Sequence, residues 1–524
     1  MRTFPLLIDG CDKDTGRYKY FPYADKSITD PYITQQIMRQ VQSGYFPPDW
    51  EECVYARYCV ANDETNQQAI QAAHIASQSF RYTALSKRRR IFDTIHKLLL
   101  NHREEIIKLM IIEGHPRKLA EWEFLGMDTV CRKETIDLYK SELVKNLGNK
   151  QGERTFGVRK ADGVVCVSPP KNAPCSNSII GAHALLGGNT LIVKPPLHCP
   201  ISTIYLWRNV IHEAVQLNDA PNGTINIVLG NSRTITDEWL TSPHVNDLLF
   251  FGDSTHGLEI GCRAFQAGKK PILELSGNDL LLVWKDADLD AAVDSLLDGF
   301  LGSTQICMVP KKGLIHEDIY DSFERKFVQK TLSLTVGLPS DSYTCLTPVT
   351  KISEFYETLE DAIEKGAELL CGARRVDYRG QSDSQGIFIT PAVLRILDFE
   401  KALSMKCTRE ENFFPLIPLI RVSSENRGHL NNKDDGIFLR MVGLVNSNVY
   451  GLRVSVWVRS RPYLYKFLKR IDSGGLLRIN TRHVGFSTGL SSHGGTGKTG
   501  GPYGEMNYVW QKTTHLQGIT INGV

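Results

Sequence analysis

Three side chains far apart in the chain combine into a chemistry that none supports alone: the amide of Asn172, the carboxylate of Glu274 and the thiol of Cys307. Asn172 stands in Gly163-Val164-Val165-Cys166-Val167-Ser168-Pro169-Pro170-Lys171-Asn172-Ala173-Pro174, an apolar run that ends in a proline-bracketed loop. Glu274 closes an apolar stretch just before Ser276-Gly277-Asn278-Asp279, and Cys307 follows Thr304-Gln305-Ile306. Singly, a cysteine is usually a small core residue, a glutamate a surface charge and a loop asparagine a turn former. Together they meet the needs of aldehyde oxidation. A thiolate attacks the carbonyl, an amide that does not titrate donates to the oxyanion, and a carboxylate later draws a proton from the attacking water.

The elements that must position these residues are legible as alternating patterns. From residue 163, Val164 to Val167, Thr190 to Val193, Thr224 to Leu229 and Asp247 to Phe251 read as strands, with helices over Ser178 to Leu186 and Ile201 to Val215. Strands alternating with crossover helices predict a parallel sheet covered on both faces, with ligands bound beyond the carboxyl ends of the strands. A second alternating region runs from near Pro271 to about residue 485. Residues 1 to about 60 read as irregular, interrupted by Pro22, Pro31, Pro47 and Pro48. Asn62 or Asp63 is a candidate N-cap for the helix that follows, and Ser86 opens a longer helix that stops near Gly114 and Pro116. The tail Thr513 to Ile521 alternates as an edge strand does, and an unpaired edge invites a second subunit.

The bulk composition excludes several classes. Sixty-one basic against 58 acidic side chains leave a net charge of +3, no basis for a nucleic-acid or anionic-membrane partner. The one dense basic run, Lys87-Arg88-Arg89-Arg90, reads as a solvated helix face. No apolar stretch is long enough to predict a transmembrane helix. The N-terminus is charged too soon for a signal peptide, so the twelve cysteines are expected to be reduced thiols in the cytoplasm. They lack CxxC or Cys/His ligand spacing, and no metal site is expected. Two motifs near the C-terminus mislead. Gly495-Thr496-Gly497-Lys498-Thr499-Gly500 matches a dinucleotide fingerprint in letters but lies in a Gly-rich loop with the chain ending at Val524. The same Gly497-Lys498-Thr499 fails as a P-loop because Ser492 stands where the first glycine is required.

Six segments in order resemble the aldehyde dehydrogenase superfamily. Asn172-Ala173-Pro174 is similar to the family's Pro-Trp-Asn-Phe-Pro loop, and Gly188-Asn189-Thr190-Leu191-Ile192-Val193-Lys194-Pro195 to its Gly-Asn-Thr-x-x-x-Lys-Pro strand. Glu274-Leu275-Ser276-Gly277 resembles Glu-Leu-Gly-Gly, and Gln305-Ile306-Cys307 resembles Gly-Gln-x-Cys. Glu410-Glu411-Asn412-Phe413-Phe414-Pro415 resembles Glu-Glu-x-Phe-Gly-Pro, and Tyr450-Gly451-Leu452 precedes Asn480-Thr481 in the family's order.

The resemblance implies an α/β, aldehyde dehydrogenase-like fold. A Rossmann-type cofactor domain would span 1–146 and 163–272, a catalytic domain 273–485, and a small β bridging element 147–162 and 504–524. It implies that Cys307 is the nucleophile, that Asn172 and the Cys307 backbone N–H hold the oxyanion, and that Glu274 activates water. Lys194 would hold the adenine ribose and Glu411 the nicotinamide ribose, with Phe413 nearby. Gly230 and Gly252 would allow close backbone approach, with Ser168, Pro170, Lys171, Leu197 and Ser254 along the same cofactor. The cofactor would be NAD or NADP. Leu197, where NAD-preferring relatives carry an acid, tilts the expectation toward NADP. The partner is a small aldehyde, and a homodimer or homotetramer is implied. Loops near 173–177, 306–308 and 484–492 would wall the substrate.

The chain also departs from the family pattern. Lys171 replaces Trp, Thr304 replaces Gly, Phe414 replaces Gly, Gly181 and His183 lie where a lysine is common, and Asp253 or Ser254 falls where a serine meets pyrophosphate. Two other functions remain to be separated: a CoA-acylating dehydrogenase, whose thioester is resolved by a thiol, and a non-catalytic binding protein on the same scaffold.

Overall fold

A computed structural model describes residues 1–150, 152–424, 433–490 and 493–522. Residues 425–432 of the expected catalytic segment, and Ser491 and Ser492 of the expected substrate wall, lie outside the described residues, as do 523 and 524 of the tail. Two seven-stranded sheets organise the chain. The first runs, in spatial order, Lys270–Glu274, Asp247–Phe251, Val164–Ser168, Thr190–Val193, Ile225–Ile227, Leu6–Ile8 and Cys11–Lys13. The first five are mutually parallel and the last two antiparallel. Val164–Ser168 lies near the middle of this sheet and all five of its residues are buried, as a run of Val and Cys without alternation requires.

The second sheet runs Glu368–Cys371, Ala392–Ile396, Leu416–Val422, Lys312–His316, Leu280–Val283, Arg453–Trp457 and Leu476–Ile479, parallel except at its first strand. Alternate residues of one strand feed different cores. Leu280 and Leu282 pack with Trp284, Phe355 and Phe438, whereas Leu281 and Val283 pack with Phe300, Phe323 and Phe327. A third sheet is antiparallel, with Glu153–Ala161 between Val144–Lys150 and the tail strand Thr514–Asn522, which is an edge as expected.

The N-terminal expectation is overturned. Residues 1 to about 60 are ordered: Leu6–Ile8 and Cys11–Lys13 extend the first sheet, Arg2–Phe4, Tyr18–Pro22 and Val54–Cys59 form a small sheet, and helices span Ala24–Thr29 and Pro31–Gln42. Strands of three residues show too little periodicity to be read without their partners. The helix expected from Ser86 is two, Leu85–Asn101 and Arg103–Ile112, parted at His102. The region from Ser178 to Leu186 likewise resolves into Pro174–Gly181 and Ala184–Gly187. Asn62 does cap the helix Asp63–Phe80, through a reciprocal box with Thr65.

Four adjacent parallel strands of the first sheet end on one edge, and each leads to an expected site residue. Val164–Ser168 leads to Asn172, Thr190–Val193 to Lys194, Asp247–Phe251 to Gly252, and Glu274 is the last residue of its own strand. The opposite edge is pinned by Asn189. Its side chain accepts from Gly163 N–H at 2.9 Å and donates to the carbonyls of Ala184 at 3.1 Å and Thr513 at 2.9 Å, tying the tail to the sheet. Replacing it with alanine strands the buried Gly163 N–H and removes one of the bonds that the Ala184 and Thr513 carbonyls accept. Asn189→Ala should lower the unfolding free energy by on the order of 3 kcal/mol, measured by urea denaturation. A loss within about 0.5 kcal/mol would mean the tail is held elsewhere.

Candidate active site

The three residues singled out by their chemistry meet. Cys307 Sγ lies 3.5 Å from Glu274 Oε1. The other carboxylate oxygen, Oε2, accepts from the backbone N–H of Gly494 at 2.6 Å. Asn172 Nδ2 donates to the carbonyl of Gln305, two residues before Cys307, at 2.8 Å. Its amide is therefore tied to the segment that carries Cys307 through a backbone acceptor.

Burial dominates the electrostatics. It pushes the Glu274 carboxyl up to about 8, opposed by the Gly494 N–H and by the buried Arg453. It also pushes the Cys307 thiol well above its ordinary range, reinforced by the charges of Glu274 and Glu411 and opposed by Lys311. Removing charge from water costs more than nearby dipoles return. The resting pair at neutral pH is thus a thiol and a largely protonated acid, and Glu274 is the more easily ionised of the two.

The segment that presents Cys307 is strained. Gly302, Ser303 and Thr304 hold φ values of 60°, 55° and 63°, three consecutive residues in the left-handed region. A β-branched residue there is a genuine outlier, and such backbone persists only where its surroundings over-determine it. They do here. Ser303 Oγ donates to Thr347 O at 2.7 Å and accepts from Thr347 N at 2.9 Å. Gln305 Oε1 accepts from the backbone and hydroxyl of Thr350, and its Nε2 donates to Pro348 O at 2.7 Å. Lys311, fully buried, donates to the carbonyls of Thr304 and Ile306, each at 2.7 Å. The Lys311 ammonium also sits 4.0 Å from Glu411 and 5.2 Å from the centre of the Phe413 ring. Glu411 in turn accepts from Gly277 N–H at 2.9 Å. Sequence reasoning quoted Gln305 only as part of its motif and missed Lys311, Arg453 and Gly494, because a cationic side chain or a backbone N–H carries no signal of burial until the chain is folded.

A cleft of about 670 Å³ opens beyond the strand ends. Of the expected cofactor residues, Ser168, Lys171, Lys194, Leu197 and Gly252 line it. Lys194, pushed down to about 8 by burial, donates to Ser232 Oγ at 3.1 Å. Lys171, Leu197 and His198 are shared with a neighbouring cavity of about 550 Å³, which reaches Asn172, Gln305 and Phe413. Pro170, Gly230, Ser254 and Glu411 are not among the lining residues of either. Asp253 caps the helix Ser254–Gln266 by accepting from His256 N–H at 2.9 Å, and Ser254 donates its hydroxyl to the Lys498 carbonyl at 2.7 Å. The register therefore keeps an acid at this helix start. Arg233 and Arg263, which the sequence did not single out, also line the cleft, with Arg263 paired to Asp237 at 2.5 Å. Among the described residues one group, His316, Asp318 and Asp434, brings potential metal-ligand atoms within 4.8 Å. Lys285 and Lys433 already neutralise its two carboxylates.

Comparison with known proteins agrees with this geometry. A family model described as the aldehyde dehydrogenase family matches residues 46–519. A succinate-semialdehyde dehydrogenase, mitochondrial, of Arabidopsis thaliana is 29% identical over 472 residues, covering 86% of this chain and 81% of that one. A lactaldehyde dehydrogenase of Methanococcus maripaludis is 25% identical over 99% of this chain and 100% of its own length. Among solved structures, a glyceraldehyde-3-phosphate dehydrogenase of Methanocaldococcus jannaschii complexed with NADP superposes with a TM-score of 0.75 at 26% identity, over 90% of this chain and 97% of that one. An NAD-dependent aldehyde dehydrogenase of Sinorhizobium meliloti shares the fold, with a TM-score of 0.80 at 21% identity over 100% of this chain and 95% of that one.

The left-handed threonine yields a prediction of unusual sign. Thr304 Oγ1 is buried without a hydrogen-bond partner, so the side chain contributes strain without a compensating bond. Thr304→Gly should stabilise the fold by on the order of 1 kcal/mol, after allowance for the greater freedom of glycine in the unfolded chain. Thermal and denaturant unfolding measure it. A destabilised variant would show that threonine packing outweighs the backbone strain.

Proposed function

The chain belongs to the aldehyde dehydrogenase family, and on that premise we propose that its reaction runs through a thioester on Cys307, with Asn172 as oxyanion donor and Glu274 as the base that activates water. It is an oxidoreductase that converts an aldehyde to the acid with NAD or NADP. The observation that carries the assignment of roles is the 3.5 Å contact between Cys307 Sγ and Glu274 Oε1, with the Asn172 amide held beside it.

The cleft fits a dinucleotide by the chemistry of its donors. Lys171, Lys194 and Arg233 face a space that a diphosphate-linked ligand would share, Arg263 is already paired with Asp237, and Leu197 adds no carboxylate to repel one. When bound, that cofactor supplies the acceptor for the aldehyde hydride. The chain's own residues do the rest. The Cys307 thiol gives its proton to solvent as the carbonyl carbon arrives, with the Lys311 ammonium offsetting the charge on sulfur, and Glu274 is left for the later step. Asn172 Nδ2 exchanges the Gln305 carbonyl for the developing oxyanion, a donor already placed before charge appears. Once the acyl group sits on sulfur, ionised Glu274 accepts a proton from water, which attacks the thioester and leaves acid and free thiol. A carboxylate this close to the sulfur favours water over a thiol as the resolving nucleophile, which disfavours the CoA-acylating alternative.

The unit formed by residues 1–146 and 163–272 is assigned to the dinucleotide, and 273–485 to the thiol and its supports. Leu119, Ile306, Met308, Leu452 and Val484 pack around Cys307 together with Trp122, and the ring of Phe486 lies 5.4 Å from that of Trp122. An aldehyde with an apolar tail suits this wall. The edge strand Thr514–Asn522, with Leu516 and Ile521 exposed, suits pairing in a homodimer or homotetramer. No helix among the described residues is long and apolar enough to cross a membrane, and all twelve cysteines are free thiols, in keeping with a cytoplasmic setting.

Two measurements follow. Glu274→Gln keeps the shape but cannot accept a proton. It should give a burst of reduced dinucleotide near one per active subunit, then turnover slower by about a hundredfold or more. In the wild type the deacylation rate should rise with pH through about 8, as the base ionises, and level above it. In the variant the profile should be flat. Full turnover in Glu274→Gln, or a wild-type rate that falls as pH rises, removes Glu274 as the base.

NADP should bind at least as well as NAD, because Leu197 offers neither repulsion to a phosphate nor an acceptor to a ribose hydroxyl. Leu197→Glu should weaken NADP relative to NAD by about tenfold or more, read as dissociation constants from quenching of protein fluorescence. Unchanged relative affinity would place the adenosine elsewhere.

A further inference from the structure

Asn172 does not hold its own position. The helix Pro174–Gly181 starts two residues after it, and the N-cap of that helix, Ala173, has no side chain able to cap. The missing cap comes from another helix. Glu123, on Arg117–Cys131, accepts through Oε2 from both the backbone N–H and the hydroxyl of Ser176, each at 3.1 Å. Beside it, His115 Nε2 lies 3.3 Å from the Asn172 carbonyl oxygen and 3.8 Å from Glu123 Oε1. Glu123 is 0% exposed and His115 4%. Farther along the same helix, Asn177 Oδ1 meets His493 Nε2 at 2.6 Å, next to the Gly494 N–H that holds Glu274.

We propose that Glu123 and His115 are positioning residues for the oxyanion donor. Glu123 fixes the first turn of the helix, His115 fixes the Asn172 backbone from behind, and together they keep the amide facing Cys307. The proposal rests on the reading of Asn172 as that donor. Its physical basis is leverage. Asn172 lies between Pro170 and Pro174 on a short loop that joins the buried strand Val164–Ser168 to this helix, so with the strand end fixed a shift in the first turn moves the amide directly. A displacement of about 1 Å at a catalytic donor can cost about a hundredfold in rate. Burial pushes Glu123 up to about 8 and His115 down to about 4, so the pair is neutral at neutral pH and acts through hydrogen bonds rather than charge.

The test compares three readouts across Glu123→Ala, Glu123→Gln, His115→Ala and Asn172→Ala. Burst-phase acylation with an aldehyde and dinucleotide reports the whole first step. The burst of p-nitrophenol from p-nitrophenyl acetate without dinucleotide, the acylation half of ester hydrolysis, needs the thiol and the oxyanion donor but no hydride acceptor. Alkylation of Cys307 by iodoacetamide, mapped by peptide mass, needs the thiol but no oxyanion donor. Glu123→Ala and His115→Ala should slow acylation and ester hydrolysis by about tenfold or more while alkylation stays within about twofold. Glu123→Gln, whose amide oxygen still accepts from Ser176, should recover most of the rate. In an Asn172→Ala background, Glu123→Ala should add less than about twofold, since the donor it positions is already gone. If Glu123→Ala does not fold, His115→Ala decides, because it leaves the helix cap in place.

Wild-type acylation in either folded alanine variant, or equal losses in acylation and alkylation, overturns the proposal. Unchanged acylation and ester hydrolysis in Asn172→Ala would instead remove the reading on which it rests, a separate and recognisable result.

Discussion

Two ionisable groups 3.5 Å apart, Cys307 and Glu274, sit where burial makes either one costly to charge, and much of the surrounding structure answers to that cost. On the proposed roles the thiol must become a thiolate and the acid a base, and burial opposes both charged states. The balance is therefore carried by neighbours that stabilise charge only as it forms: the Gly494 N–H on one carboxylate oxygen, Arg453 behind it, and Lys311 near the sulfur. Dipoles fixed in advance are worth more in such a dry place than in water, because they need no reorganisation during the reaction.

Holding that pair requires two sheets to deliver their strand ends to one place. The first brings Asn172, Lys194, Gly252 and Glu274 to a common edge; the second anchors the lysine-bearing strand Lys312–His316 that follows Cys307. Between them the chain takes three left-handed residues in succession, and Lys311, Gln305 and Ser303 fasten that turn from three sides. Lys312 adds a second buried ammonium, pushed down to about 7, that binds Asn278 Oδ1 at 2.5 Å and Thr408 O at 2.6 Å and so ties the turn after Glu274 to the second sheet. Buried lysines here serve as donors to carbonyls more than as charges.

How much of this was legible in the sequence depends on the range of the interaction involved. The strand Asp247–Phe251 was readable to the residue, because five consecutive apolar-flanked positions encode their own burial. The cap was readable as Asn62 or Asp63, and the structure selects Asn62, whose partner Thr65 lies three residues away. That Asn172, Glu274 and Cys307 would come together was readable because their chemistry is uncommon in combination. The N-terminal strands were not, since Leu6–Ile8 acquires meaning only against Ile225–Ile227 across the fold. Glu123 and Lys311 were equally invisible: each looks like a surface charge until helices and strands distant in sequence close over it. The cap at Asp253 was not legible either, because only the folded helix reveals that Asp253 caps it while Ser254 turns to the Lys498 carbonyl.

Covalent chemistry on Cys307 is the claim on which the rest stands, and mass spectrometry of the stalled enzyme tests it most directly. Glu274→Gln would be mixed with an aldehyde and dinucleotide, quenched in acid within the first turnovers, and digested. The account predicts that the peptide bearing Cys307 carries the mass of the acyl group in proportion to the dinucleotide reduced, and that the other eleven cysteines remain unmodified. Reduced dinucleotide accompanied by an unmodified Cys307 peptide, or an acyl group found on a different cysteine, would contradict it.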